Sequence, residues 1–386
     1  MIIPLANRLG GVKPYYFVEK LNEIRAMIAD GKDVISFAIG SPDMTPDSKV
    51  VSRLSETAGD ASQHGYQAYQ GLPELREAMS TYYKNVYKVD LDPANEILPL
   101  MGSKEGVLHL TLAFVNPGDK VLVPNPGYPT YTSLTRLLGG DIVYYDLKPE
   151  NNWYPDFDQL DQFDFSDIKI LWVNYPHMPT GTPAKREVFE RLVALAKDKG
   201  FLIVHDNPYS RVLNQKQPMS ILEVEGARDV CIELNSLSKS HNMAGWRVGM
   251  MVGQSEYVKT ALRVKSNIDS GMFAGLQTAA ASALALDDQW HDLRNEQYEN
   301  RRKWAFQILD KLGFEYDLKQ EGMFVWAKPI DQDIQKDIPG FVDRLLREKN
   351  IFFTPGMIFG SNGEGYVRLS LCVPAIRMEE AFKRLQ

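Results

Sequence analysis

Cysteine is scarce in this chain. Only Cys231 and Cys372 occur in 386 residues, each within an apolar run, so buried thiols in a reducing compartment are expected rather than a disulfide framework. Basic clusters are missing too, and the net charge of −7 favours solubility and argues against a nucleic-acid surface. No uncharged apolar run is long enough to span a bilayer; the Ala-rich stretch 271–286 is too short and reads as a buried helix. The opening MIIPLANRLGG lacks the basic-then-apolar layout of a secretion signal. The expectation is a cytoplasmic protein with no membrane or nucleic-acid partner and no metal site. What is present is ordinary for a globular chain: 44% apolar and 24% charged residues, at a length that suits two domains.

Alternating strands and helices are clearest between 168 and 234. Ile168–Val173 reads as a strand, and Thr182-Pro183 as a helix N-cap followed by a first-turn proline. Val188, Leu192, Leu195 and Ala196 form an apolar stripe ended by Gly200, and 201–204 and 230–234 are further strands. Strand, helix, strand at this length implies parallel strands and a right-handed crossover, with ligands gathered beyond the carboxyl ends of the strands. Asn174, Asp206 and Lys239 fall at such ends. Helical spacing also marks 13–31 (Val18, Leu21, Ile24, Ile28), the segment carrying Leu75, Met79, Tyr82 and Val86, the segment after Gly102 (Val107, Leu108, Leu112, Val115), and 289–312 (Trp290, Leu293, Trp304, Ile308, Leu312). Residues 120–123 and 141–147 read as strands, and the Pro-, Asn- and Asp-rich 148–167 as a surface connection. In 365–371, Val367, Leu369 and Leu371 face one way and Tyr366, Arg368 and Ser370 the other.

The most informative stretch is 229–253, DVCIELNSLSKSHNMAGWRVGMMVG. An apolar strand breaks into a polar turn with Lys239 in its middle, and Arg247 follows eight residues later. A lysine so placed can hold pyridoxal phosphate covalently, with Ser236, Ser238 and Arg247 on its phosphate dianion. Taken alone, Ser-Leu-Ser-Lys is as compatible with a solvated loop lysine. With Gly245-Trp246-Arg247-Val248-Gly249 attached, the stretch resembles the cofactor-lysine segment of class I/II aminotransferases, the fold type I pyridoxal-phosphate enzymes, and further matching segments run from about Lys13 to Ser370.

The resemblance implies an α/β fold. A large domain, 45–285, would hold a mostly parallel seven-stranded sheet sandwiched by helices, and 1–44 with 286–386 would form a smaller α/β domain from both termini. It implies further roles, residue by residue. Gly40 would lie against the substrate carboxylate, and Arg368 would clamp that carboxylate with two parallel bonds. In Met101-Gly102-Ser103-Lys104-Glu105-Gly106, the Ser103 hydroxyl and the Lys104 backbone amide would bind phosphate at a helix start. Tyr128 would stack on the pyridine ring, with Tyr131 as the competitor three residues on. Asp206 would pair with the ring nitrogen, Tyr209 would bond the ring's phenolic oxygen, and Asn174 would join the cofactor site. Tyr66, with Tyr69 as alternative, and the segment 266–273 would reach into the neighbouring subunit of a homodimer.

One departure from the family pattern stands in Asn174-Tyr175-Pro176-His177-Met178-Pro179-Thr180-Gly181, where Met178 occupies the place of an asparagine that contacts the phenolic oxygen. A thioether cannot donate a hydrogen bond, so Tyr209 acts there alone, or His177 or a water substitutes. The expected activity is amino transfer between an L-amino acid and a 2-oxo acid, near the LL-diaminopimelate and aspartate aminotransferase branch. The alternatives are a C–S lyase on the same scaffold and a non-catalytic cofactor-binding protein.

Overall fold

Seven apolar segments, none longer than six residues, pair into one sheet: β1 (Ile97–Leu100), β2 (Lys120–Asn125), β3 (Asp141–Asp146), β4 (Ile168–Val173), β5 (Leu202–Asp206), β6 (Cys231–Ser236) and β7 (Gly249–Gly253). They come from a computed structural model that describes residues 3–10 and 16–386. The spatial order is β1-β7-β6-β5-β4-β2-β3, and only β7 runs antiparallel to its neighbours.

Side chains alternate across a strand, so each strand feeds two cores. Val121, Val123, Ile170 and Trp172 pack on one face with Val107 and Leu110 of the helix Ser103–Phe114. Leu122, Leu171 and Val173 pack on the other with Leu75 and Met79 of Pro73–Tyr87 and with Phe189 and Leu192 of Arg186–Lys199. Strands covered on both faces need near-continuous apolar runs, which is why β4 reads ILWV after its lysine. Each such large side chain removed from water stabilises the fold by about 1.5–3 kcal/mol.

A third core belongs to a small antiparallel sheet of Thr354–Pro355, Val367–Ser370, Phe324–Pro329 and Phe314–Tyr316, in that order. The helices Asp288–Lys311 and Ala375–Arg384 cover it. Ile35–Ser36 pairs in parallel with Ile351–Phe352, which ties the early chain to the late chain.

The structure corrects several sequence expectations. The helix after β4 starts at Arg186 with Lys185 at its N-cap, because Thr182 spends its hydroxyl on Thr180, 2.7 Å away. The connection 148–167 is no surface loop: Tyr154, Phe157, Leu160 and Phe165 are buried in the main core. Val230 closes a short helical turn, and β6 starts one residue later. Leu112 and Leu293 lie on the exposed faces of their helices. In the first helix, Tyr16–Ala29, Ile24 is buried while Val18 and Ile28 are exposed; Lys13 lies outside the described residues. Among the described residues no helix is long and apolar enough to cross a membrane.

Candidate active site

A cavity of about 600 Å³ opens beyond the ends of β4, β5 and β6, with Asn174, Asp206 and Lys239 all on its wall. Six-residue β6 ends at Ser236, whose hydroxyl accepts from the Ser238 amide at 3.1 Å and so starts the single helical turn Leu237–Ser240 that carries Lys239. The Lys239 ammonium donates to the Gly40 carbonyl. Burial lowers its pKa; the Arg368 and Arg247 charges add to that and Cys372 opposes it.

Asp206 ends β5. Its Oδ2 accepts a 2.7 Å hydrogen bond from the Tyr131 hydroxyl, whereas Oδ1 is buried with no partner. Burial raises its pKa to about 6, against the Tyr131 hydrogen bond and the His205 charge, which lower it. Asn174 braces this corner: its Nδ2 donates to the Asp206 carbonyl at 2.6 Å and its Oδ1 accepts from the Met178 amide at 2.8 Å. Tyr131 itself stacks flat on Trp172, ring centres 4.7 Å apart, and Tyr128 meets Tyr131 edge-on. Tyr209 lines the same wall edge-on to Phe324, its hydroxyl pushed up by burial.

At one end of the cavity the turn before Ser103–Phe114 meets Arg247. Gly102 has φ 81°, and a Cβ there would run into the Arg247 guanidinium, so both backbone conformation and space call for glycine. Gly249 is equally constrained: a Cβ would lie 2.6 Å from the Ser103 amide. Arg247 donates to the Ala244 carbonyl at 3.0 Å and to the Ser238 hydroxyl at 3.4 Å. Behind the turn, Glu105 accepts from the Met101 amide and from the buried Lys265 ammonium at 3.0 Å. The Lys104 side chain is exposed at the rim.

Toward the small sheet stands Arg368, paired across strands with Trp326 and Thr354. Its guanidinium is buried between the rings of Phe324 and Phe359, 4.0 and 4.5 Å from their centres. It donates to the Ala38 carbonyl at 2.8 Å and to Met178 Sδ at 3.2 Å; Nε has no partner, and no carboxylate reaches it among the described residues. Burial lowers its pKa to about 10. Gly40 is fixed by packing, since a Cβ would collide with the Phe324 ring.

Two groups stand apart from the cavity. Tyr66 is 94% exposed and does not line it. The segment 266–273 packs against the Tyr66 loop, with Gly271 so close that a Cβ would lie 2.7 Å from the Gln67 carbonyl. His177 is turned away as well. Its Nδ1 meets the Thr180 hydroxyl at 2.8 Å, it lines no part of the cavity, and burial lowers its pKa to about 3.

Three further residues contribute. Tyr131, expected only as a competitor of Tyr128, holds Asp206 through its hydroxyl. Phe324 and Phe359, which sandwich Arg368, carried no sequence signal.

The wall fits pyridoxal phosphate on its own chemistry. An unpartnered buried carboxylate oxygen suits a protonated ring nitrogen, a buried lysine whose pKa is lowered suits covalent attachment, and a helix start beside Arg247 suits a phosphate. A family model described as aminotransferase class I and II matches residues 32–385. The LL-diaminopimelate aminotransferase of Aquifex aeolicus is 40% identical over 382 residues, covering 99% of this chain and 98% of that protein. Among solved structures, apo-BacF from Bacillus subtilis aligns with a TM-score of 0.94 at 32% identity, covering 99% of this chain and 98% of that one. Aspartate aminotransferase from Thermus thermophilus with maleate aligns with a TM-score of 0.91 at 26% identity, covering 99% of each.

Proposed function

The chain belongs to the class I and II aminotransferase family and is a pyridoxal-phosphate-dependent enzyme acting on amino acids and 2-oxo acids, and from that premise we propose the part each residue plays. The observation that carries the assignment of roles is one cavity wall holding Lys239, Asp206 with its free Oδ1, and the carboxylate-free Arg368.

When bound, the cofactor supplies an electron-withdrawing ring that stores the amino group between two half-reactions. Lys239 would hold it covalently, and its Nζ would serve as the base for the proton on the substrate α-carbon and return that proton within the same site. Burial and the two arginine charges favour the neutral amine that this step needs. Asp206 Oδ1 accepts from the ring nitrogen, with Tyr131 holding the other oxygen. Ser103, the Lys104 amide, Ser236, Ser238 and Arg247 hold the phosphate, Tyr128 stacks on the ring, and Tyr209 donates to the phenolic oxygen. Arg368 takes the substrate carboxylate beside Gly40. The Met178 thioether, a weak acceptor, is displaced from the guanidinium at little cost.

Several elements of this reading concern the whole molecule. The units 45–285 and 1–44 with 286–386 act as the large and small domains. Tyr66 and the segment 266–273 complete the site of a second copy in a homodimer; the exposure of Tyr66 supports this. The two buried cysteines support a cytoplasmic location.

The test is incubation of the purified protein with L-amino acids and a set of 2-oxo acids. A new amino acid formed in step with the consumed one is expected. Ammonia and pyruvate without a new amino acid would mean the C–S lyase instead, and a protein that stays colourless with added cofactor would be neither.

A further inference from the structure

Behind the phosphate turn lies a buried ion cluster. Glu105, Lys265 and Asp269 line no part of the cavity, and their side chains are only 11%, 3% and 12% exposed. The ammonium of Lys265, the last residue of the helix Ser255–Lys265, donates to Glu105 Oε1 at 3.0 Å and to Asp269 Oδ2. Buried His109 brings its Nε2 to 3.1 Å from the same Glu105 oxygen. Polar atoms of Glu105, His109 and Asp269 lie within 4.8 Å of one another. Without the lysine, two carboxylates would face each other away from water.

Each carboxylate passes the cluster on to backbone. Glu105 Oε2 accepts from the Met101 amide at 2.6 Å, and the Gly102 amide donates to the Leu100 carbonyl at 2.9 Å. The next two amides, those of Ser103 and Lys104, open a helix and have no acceptor inside it, and both residues line the cavity. Asp269 Oδ1 accepts from the Gly271 amide at 3.0 Å, where the segment 266–273 packs against the Tyr66 loop.

Resting on the reading that seats the cofactor phosphate at this turn, we propose that Lys265 is a positioning residue for that phosphate, acting through Glu105 on the amides of Ser103 and Lys104. Asp269 shares the task, so the segment 266–273 serves the phosphate turn of its own subunit besides reaching a second copy. The physical reason is charge. An unpaired carboxylate in the first helical turn would repel a phosphate dianion there. Lys265 offsets that charge and pins it on the Met101 amide, and the next two amides stay free for the ligand.

The test titrates pyridoxal phosphate and pyridoxal into the cofactor-free protein; the two share ring and aldehyde and differ in the phosphate. The ratio of their affinities is the readout. Lys265→Met is expected to lower that ratio by roughly tenfold or more, with the affinity for pyridoxal unchanged. Asp269→Asn keeps the lysine and its Glu105 partner, and should lower the ratio by roughly threefold. Adding Glu105→Gln to Lys265→Met removes the stranded carboxylate while an amide oxygen can still accept from Met101, and most of the ratio should return. A ratio unmoved in Lys265→Met, or in Asp269→Asn should the first variant not fold, overturns the proposal. An equal loss of both ligands, or a double variant no better than the single, overturns it too, because a merely structural lysine would behave so. Arg247→Ala separates the two levels. Where it lowers the ratio and Lys265→Met does not, this inference alone falls; where it leaves the ratio unmoved, the phosphate lies elsewhere and the reading beneath falls as well.

Discussion

Asp206→Asn should make the cofactor-free protein more stable and its hold on the cofactor weaker. Burial raises the Asp206 pKa from 3.8 to about 6, despite the Tyr131 hydrogen bond. A carboxyl raised in the folded state contributes stability that is fully present below the unfolded value and is lost as pH rises through the folded one. The full difference is worth roughly 3 kcal/mol, most of it lost between pH 4 and pH 6. Asparagine has nearly the same shape, its Oδ1 can still accept from Tyr131, and it has no charge to desolvate. Urea melts of the cofactor-free protein and variant at several pH values should therefore diverge, with the variant gaining by roughly 2–3 kcal/mol between pH 4 and pH 7. Cofactor titrations should show the opposite, a loss of roughly 10- to 100-fold in affinity as one charge-assisted hydrogen bond goes. A stability gap that stays flat with pH would refute the reasoning, since it would mean that Asp206 is not the desolvated carboxylate described above.

Other substitutions probe the remaining groups. Lys239→Ala should abolish turnover and leave the cofactor held without a covalent bond, so that it washes out on gel filtration; retained turnover would reject the lysine's role. Arg368→Lys keeps one positive charge but not the planar fork, and KM for amino acids should rise by roughly tenfold or more while the visible band of the bound cofactor is unchanged. An unaltered KM would put the carboxylate elsewhere. Met178→Asn restores an amide donor to the wall, and the pH at which the visible band titrates should fall by up to about one unit; a fixed titration midpoint would show that Met178 does not face the phenolic oxygen.

The doubly covered sheet was legible because β4, β5 and β6 are short apolar runs separated by a helix with an unbroken stripe, and such runs have few other homes. Lys239, Asp206 and Asn174 were legible for the same reason: each lies at or within three residues of a recognisable strand end, and the structure brings all three to one cavity. The Thr182-Pro183 helix start failed because a local rule, hydroxyl before proline, lost to the Thr180–Thr182 hydrogen bond formed inside the turn. The stretch 148–167 failed because its composition is that of a loop, whereas its four aromatic and leucine anchors bury in a core built from distant strands. Phe324 and Phe359 illustrate the harder limit. Their contact with Arg368 joins residues from different strands and turns of the small domain, and no spacing in the chain encodes it.

The two sides of the central sheet argue that the unpartnered groups in the cavity are functional. Behind β5, Glu233 is buried as deeply as Asp206, yet it accepts from the Tyr83 hydroxyl at 2.7 Å, the Ser220 hydroxyl at 2.7 Å and the Ile221 amide at 3.2 Å. His205, next in chain to Asp206, meets Glu233 at 2.9 Å on one ring nitrogen and the Tyr175 carbonyl at 2.9 Å on the other. The fold therefore satisfies a carboxylate and an imidazole within one strand position of the cavity. In front, Asp206 Oδ1 and Arg368 Nε go without partners, each at a cost of about 1–3 kcal/mol or more for a charged group. Both oxygens of Glu233 are partnered in the hidden network, whereas only one oxygen of Asp206 is partnered in the open one. Leaving it incomplete makes sense where a ring nitrogen and a substrate carboxylate supply the missing halves.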